Sequence, residues 1–182
     1  MRHLIALSCL LISSTAFAGP SFVLGSTDVS ESTPIGNRFV FSGFGCSGDN
    51  RSPALSWSGV PENTKSLALT VYDPDAPTGS GWWHWVVIDL PAATDGLPRG
   101  AGTPDGSALP DGARQIRTDF GQPGYGGPCP PAGDKPHRYI FTLHALSVDT
   151  LPVPEDATAA MAGFMINANT LATATLTARY GR

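Results

Sequence analysis

The sequence predicts a mainly β protein, a Greek-key β-sandwich decorated by one or two short helices. Three observations carry this expectation. Segments with apolar residues at every second position, or with continuous β-branched and aromatic composition, recur along the chain, as strands do when one or both faces are buried. Glycine and proline, 21 and 17 of 182 residues, fall between those segments as turn punctuation. Only one stretch carries the opening signals of a helix. Short strands separated by turn signals are the pattern of sandwich folds.

Taken in chain order, residues 38–44 form a candidate strand. Residues 67–72 are a firmer one, because Leu67, Leu69 and Val71 alternate with Ala68, Thr70 and Tyr72. Residues 83–89 are aromatic and β-branched throughout, the composition of a strand covered on both faces. Residues 91–112 show no periodicity and read as a long surface connection. A further strand is expected at 114–118. Another follows at 137–146, with Tyr139, Phe141 and Leu143 on one face and Ile140, Thr142 and His144 on the other. Pro154-Glu155-Asp156 opens a helix over 157–167, its acids placed where the helix dipole favours them. A last strand is expected at 171–180. With no internal repeat or break in composition, residues 19–182 read as one domain.

Residues 1–18 read as a signal peptide: Met1-Arg2-His3 is a short basic start, residues 4–12 are apolar, and Ala16-Phe17-Ala18 is an A-x-A cleavage signal. The apolar run is too short to span a bilayer, which takes about 20 residues. Cys9 follows too short an apolar run to read as a lipidation site. The mature chain is expected to begin near Gly19 in the periplasm or outside the cell, with no transmembrane segment. Losing Arg2 takes the formal charge from −4 to −5. Without a basic run, nucleic acid and anionic membrane surfaces are poor partners. Export leaves Cys46 and Cys129 as an even pair in an oxidising compartment, and a disulfide between them is expected. Closing so long a loop stabilises by up to about 4.5 kcal/mol in the chain-entropy picture.

Two stretches carry the chemistry. The first runs from Tyr72-Asp73-Pro74-Asp75-Ala76-Pro77 into Trp82-Trp83-His84-Trp85. The second runs from Gly126-Gly127-Pro128-Cys129-Pro130-Pro131 into His137-Arg138-Tyr139. Each sets rigid proline and permissive glycine beside titratable groups at a strand end. Two converging imidazoles, His84 and His137, with the Tyr139 hydroxyl, would donate to a small phosphate or carboxylate. Gly126 and Gly127 could add N–H groups as a nest. Asp73 or Asp75 would orient a ring or receive a ligand ammonium. A histidine at a strand end can equally be structural, simply satisfying a buried carbonyl. The His and Asp set is chemically adequate for a metal, but no H-x-x-x-H, H-x-H or C-x-x-C spacing supports one, and no metal or cofactor is expected. No G-x-S-x-G elbow marks a nucleophile, so an enzyme is not expected; a His/Asp hydrolase or lyase is the least favoured reading. The Asp119-Phe120-Gly121 triplet lacks every other kinase element, and Asn50-Arg51-Ser52 is a glycosylation sequon that matters only in a eukaryotic setting. His144 is expected on the face away from the site. An alternative is an interaction protein or protease inhibitor docking a protein partner through residues 91–112.

At these residues the chain resembles the phosphatidylethanolamine-binding protein family, in its bacterial Raf-kinase-inhibitor-like branch. The matching segments are Ser52-Pro53-Ala54-Leu55-Ser56-Trp57, the D-P-D-A-P block at 73–77, and G-x-W-W-H-W ending at Trp85. The second half adds R-x-D-F-G at 117–121, G-Y-G-G-P-C-P-P-x-G at 124–133, and H-R-Y-I-F-T-L-H-A-L at 137–146. The resemblance implies a β-sandwich with a small anion pocket at one end, holding phosphate or a phosphoethanolamine-like head group. The pocket positions carried over are Asp73, Asp75, His84, Pro131, His137 and Tyr139, and a cis peptide before Pro77 is expected with them. The sequence departs from its bacterial relatives in having Asn167 and Asn169 where they often carry His.

Overall fold

The structure, a computed structural model, describes residues 21–182; the expected leader and its cleavage point lie outside the described residues. Its centre is a five-stranded antiparallel sheet. The strands are β5 (Ser66–Asp73), β6 (Trp82–Pro91), β8 (Arg114–Gln115), β9 (His137–Leu146) and β10 (Thr170–Tyr180), in spatial order β10-β9-β5-β6-β8. A smaller sheet of β1 (Val23–Gly25), β4 (Leu55–Ser58) and β7 (Gly96–Leu97) packs on one face. The one α-helix among the described residues, α1 (Ala159–Asn169), covers part of the other. A two-stranded hairpin, β2 (Ser42–Gly43) and β3 (Cys46–Ser47), stands apart from both sheets.

The layering explains the sequence pattern. Leu69, Val71, Trp85, Val87, Phe141 and Leu143 meet Leu24, Leu55, Trp57 and Leu97 of the small sheet in the main core. On the opposite face Ala68, Val86 and Ile88 meet Ala159, Ala162 and Ile166 of the helix. Strands β5 and β6 are therefore buried on both sides, which is why β6 is apolar almost without interruption. Register is fixed at the middle, where Leu69 pairs with both Val87 and Leu143. A one-residue slip would turn that row toward the wrong layer.

Four expectations need correction. Residues 38–44 are not one strand: Asn37–Phe39 is a 3-10 turn, and only Ser42–Gly43 is extended. The Asn37 carbonyl accepts both Val40 N–H and Asp49 N–H, which curls the backbone there. The strand at 114–118 shortens to Arg114–Gln115, because Arg117 leaves the ladder to bridge Thr158. The helix starts two residues later than expected. Thr158 caps it by accepting the Met161 N–H (3.2 Å), while Pro154 and Ala157 close a separate turn before it, so no acid lies in its first turn. Finally, no cis peptide occurs among the described residues, so the bond before Pro77 is trans. That corner is closed instead by Asp73 Oδ1, which accepts the N–H groups of Asp75 (2.8 Å) and Ala76 (3.1 Å).

Candidate binding pocket

Three strand ends build the site. Asp73 closes β5, His137 opens β9 with Tyr139 two residues on, and His84 sits near the start of β6. Because β5 lies between the other two strands, all four side chains reach one cavity of about 170 Å³. The Asp73 carboxylate is almost fully enclosed. Besides the two backbone N–H groups at its Oδ1, it accepts His137 Nδ1 at 2.7 Å through Oδ2. Asp73 therefore orients the imidazole and puts its proton on Nδ1, leaving Nε2 for other partners. Asp134 Oδ2 lies 3.5 Å from that nitrogen on the solvent side.

His84 is fixed differently. Its Nδ1 lies 2.6 Å from the Gly126 carbonyl, which can only accept, so that nitrogen carries the hydrogen and Nε2 carries the lone pair. Burial pushes its pKa down to about 4, against the raising effects of the Gly126 carbonyl and of Asp73 and Asp119. His84 is thus neutral at ordinary pH. Tyr139 stands edge-on to it, with ring centroids 5.0 Å apart. The Tyr139 hydroxyl is buried and has no hydrogen-bond partner among the described residues, and burial raises its pKa far above the normal phenol range. A buried hydroxyl without a partner is uncommon and costs about 1–3 kcal/mol.

Apolar side chains and prolines make the walls. Phe44, Trp82 and Phe120 stand with Pro77, Pro130 and Pro131. Phe120 lies edge-on to both Trp82 and His84, at 5.4 Å in each case. The wall at 129–131 is tied down twice. Cys46 and Cys129 form a disulfide with Cα atoms 6.0 Å apart, joining it to the β2–β3 hairpin. Arg182 donates to the carbonyls of Pro130 (2.8 Å), Gly45 and Phe44 (both 3.3 Å).

Asp75 is not brought to the cavity. It faces outward in a bidentate pair with Arg138 (2.6 and 2.8 Å), whose hydrogen bonds hold its pKa down to about 2. The Gly126–Gly127 nest is also absent as an anion cradle. Gly126 N–H donates to the His84 carbonyl (2.8 Å) and Gly127 N–H to Asn50 Oδ1 (2.7 Å), so both are already engaged. Asn50, read in the sequence only as part of a sequon, is a bracket for this wall: its Nδ2 also donates to the Tyr125 carbonyl. His144 lies in a separate recess on the helix side of the sheet with Thr70 and Trp83. Among the described residues no three His, Cys, Asp or Glu side chains are grouped as metal ligands. Among the described residues no Lys or Arg lines the cavity. Phe44 and Phe120 are lining residues that sequence reasoning missed. For Phe120 a signal existed in the R-x-D-F-G match; for Phe44 there was none.

Comparison with known proteins identifies the family and the fold. The family described as Phosphatidylethanolamine-binding protein matches residues 26–181. UPF0098 protein YbcL of Escherichia coli K12 is 50% identical over 180 residues, covering 99% of this chain and 98% of its own. UPF0098 protein YbhB of the same organism is 52% identical over 155 residues, 85% of this chain and 97% of its own. The crystal structure of E. coli YbcL superposes with a TM-score of 0.87 at 53% identity, covering 88% of this chain and 98% of that one. The homologue CT736 of Chlamydia trachomatis gives 0.73 at 33% identity, covering 89% and 98%. This chain belongs to the phosphatidylethanolamine-binding protein family.

Proposed function

We propose that the protein is an exported, non-enzymatic binding module, one domain behind a cleaved leader, whose cavity takes a small anionic group such as phosphate or a phosphoethanolamine-like head group. The observation that carries this reading is the partnerless Tyr139 hydroxyl, buried beside two imidazoles whose Nδ1 atoms are already bound. A ligand oxygen would supply the missing acceptor. The same inventory sets the terms of binding. With His84 neutral and no Lys or Arg among the described lining residues, an oxyanion would bring a proton on one of its oxygens or let His84 Nε2 take one as it enters. The aromatic and proline walls suit a head group with an apolar extension better than a fully hydrated ion.

The test is calorimetry with phosphate and phosphoethanolamine on the mature chain and on Tyr139→Phe. The expected result is binding by the first and a loss of at least tenfold in the second, with an unchanged circular dichroism spectrum. No binding of either compound by the parent chain would overturn the reading. Export is checked separately, by finding Gly19 as the first residue of material recovered from the periplasm or medium.

A further inference from the structure

The helix side of the large sheet holds a second cavity, of about 170 Å³, and a bulge in β6 sets it apart from the first. Opposite Val71 and Tyr72 of β5 stand three residues of β6: Trp85 pairs with Val71, Trp83 pairs with Tyr72, and His84 is the extra one. His84 and Trp83 are thereby sent to different places, His84 into the first cavity and Trp83, beside Tyr72, into the second. The Tyr72 and Trp83 rings lie 4.7 Å apart and form one wall. The helix α1 forms another. Gly163 brings it close, since a Cβ there would lie only 3.3 Å from Trp83 Cη2. Glycine weakens a helix interior, so its place in the middle of α1 calls for a packing reason, and the indole supplies one.

His144 is the buried ring of this recess, and its contacts fix its tautomer. The Thr170 hydroxyl gives its hydrogen to the Ile166 carbonyl (2.8 Å), so toward His144 Nδ1, at 3.3 Å, it can only accept. Nδ1 therefore carries the hydrogen and Nε2 the lone pair. The one hydrogen-bond contact of Nε2 among the described residues is the Thr70 hydroxyl at 3.4 Å, long for such a bond. Burial pushes the pKa of this ring down to about 4, so it stays an acceptor at ordinary pH. Among the described residues no charged side chain lines the recess. Tyr72 is the other titratable group there, and its hydroxyl already donates to the Ser80 carbonyl (2.7 Å).

These features select a ligand by its chemistry. A neutral acceptor meets a donor, and nothing in the lining would pair with a charged group. The aromatic wall and Ile166 suit a flat apolar body. The volume is that of one ring, since a cavity of about 150 Å³ holds benzene. We infer that this recess is a second binding site, for an uncharged aromatic ring bearing one N–H or O–H, as in a phenol or an indole, with the donor bonded to His144 Nε2. The anion cavity plays no part in it, and the inference does not rest on that reading.

Nitrogen-15 NMR of the mature chain, with phenol and indole as probes, tests the inference. Both should shift the Trp83 Nε1–H and the amides of Thr70, Thr142 and Gly163, with a Kd of about 1 mM or tighter. Toluene has a similar shape but no donor, and should bind at least about fivefold more weakly than phenol. Benzoate, which is charged, should leave these signals in place. The His144 Nε2 resonance should have the position of an unprotonated ring nitrogen and should move with phenol but not with toluene. Thr142→Trp, at a half-buried lining position, should fill the recess and abolish binding. His144→Phe should bring phenol down to the level of toluene; the comparison of probes on the parent chain stands even if that variant does not fold. Absence of the four shifts at millimolar phenol and indole overturns the inference. So does equal binding of phenol and toluene, binding that survives Thr142→Trp, or shifts centred on His84 and Tyr139, which would place the ring in the first cavity.

Discussion

If an anion enters the cavity by protonating His84, binding must depend on pH in a way the apo geometry sets. Burial holds that imidazole's pKa at about 4 in the empty protein. At pH 7 the gap is about three units, so charging the ring beforehand costs about 4 kcal/mol, and at pH 5 only about 1.4 kcal/mol. Sulfate is the discriminating probe, because it remains a dianion throughout and cannot deliver a proton itself. Its affinity should rise about a hundredfold from pH 7 to pH 5, one decade per unit. Phosphate, which carries protons of its own, should vary less. Calorimetry in buffers of different ionisation enthalpy should show about one proton taken up per sulfate bound at pH 7. His84→Asn keeps a side-chain N–H for the Gly126 carbonyl and removes Nε2, so the profile should flatten. Sulfate affinity independent of pH, with no buffer dependence of the enthalpy, would refute the argument. An unchanged slope in His84→Asn would assign the proton to a different group.

Three further outcomes follow from the same geometry. Tyr139→Phe deletes a buried hydroxyl that has no partner, so the ligand-free domain should be as stable as the parent or more stable by about 1 kcal/mol; a clear loss in thermal denaturation would mean the hydroxyl is bonded after all. His84 and His144 are both held near pKa 4 by burial and stay neutral in the fold, while the unfolded chain takes up protons below about 6.5. Their contribution is complete above that value and is lost as pH falls toward 4, by up to about 3 kcal/mol each. Urea unfolding at pH 7 and pH 4.5 should show this drop, and His144→Gln should shrink it; equal drops in variant and parent would exclude His144 as a source. Replacing Cys46 and Cys129 together by Ser should cost up to about 4.5 kcal/mol of stability and should weaken ligand binding beyond that effect, because Cys129 lines the cavity. Binding equal to the parent's under conditions where the variant is fully folded would show the wall to be rigid without the bridge.

What could be read in the sequence was whatever depends on near neighbours. Period-two alternation in β5 and β9, and the unbroken apolar run of β6, follow from which layers cover each strand, and each is a local pattern. The two proline-bracketed corners drew attention to His84, His137 and Tyr139 because a rigid turn beside a titratable group is also local, whereas Pro131 came from the family resemblance alone. The misses concern partners far along the chain. Phe39 and Phe41 alternate as a strand would, but the Asn37 carbonyl is claimed by Asp49 as well as Val40, and the segment curls. Gly126 and Gly127 have the composition of an anion nest, yet Asn50, 77 residues before Gly127, occupies the second of those N–H groups. Asp75 belongs to the same short block as Asp73, and the two separate because Arg138 supplies a guanidinium on the outer side of the corner. At the helix start two local signals competed, and the threonine hydroxyl prevailed over the acids because it sits where it can reach a free N–H.

Under the proposed export and anion binding, the covalent link between Cys46 and Cys129 would tie ligand recognition to cellular address. Thiols there stay apart in a reducing cytosol, and the hairpin carrying Phe44 is then held beside the proline wall only by hydrogen bonds and by the packing of Phe44 on Phe41 and Phe120. A precursor awaiting export would have its sheets but a slack receptor, and so would not compete for the phosphate esters abundant inside the cell. Competence to bind would arrive with oxidation, after the membrane had been crossed.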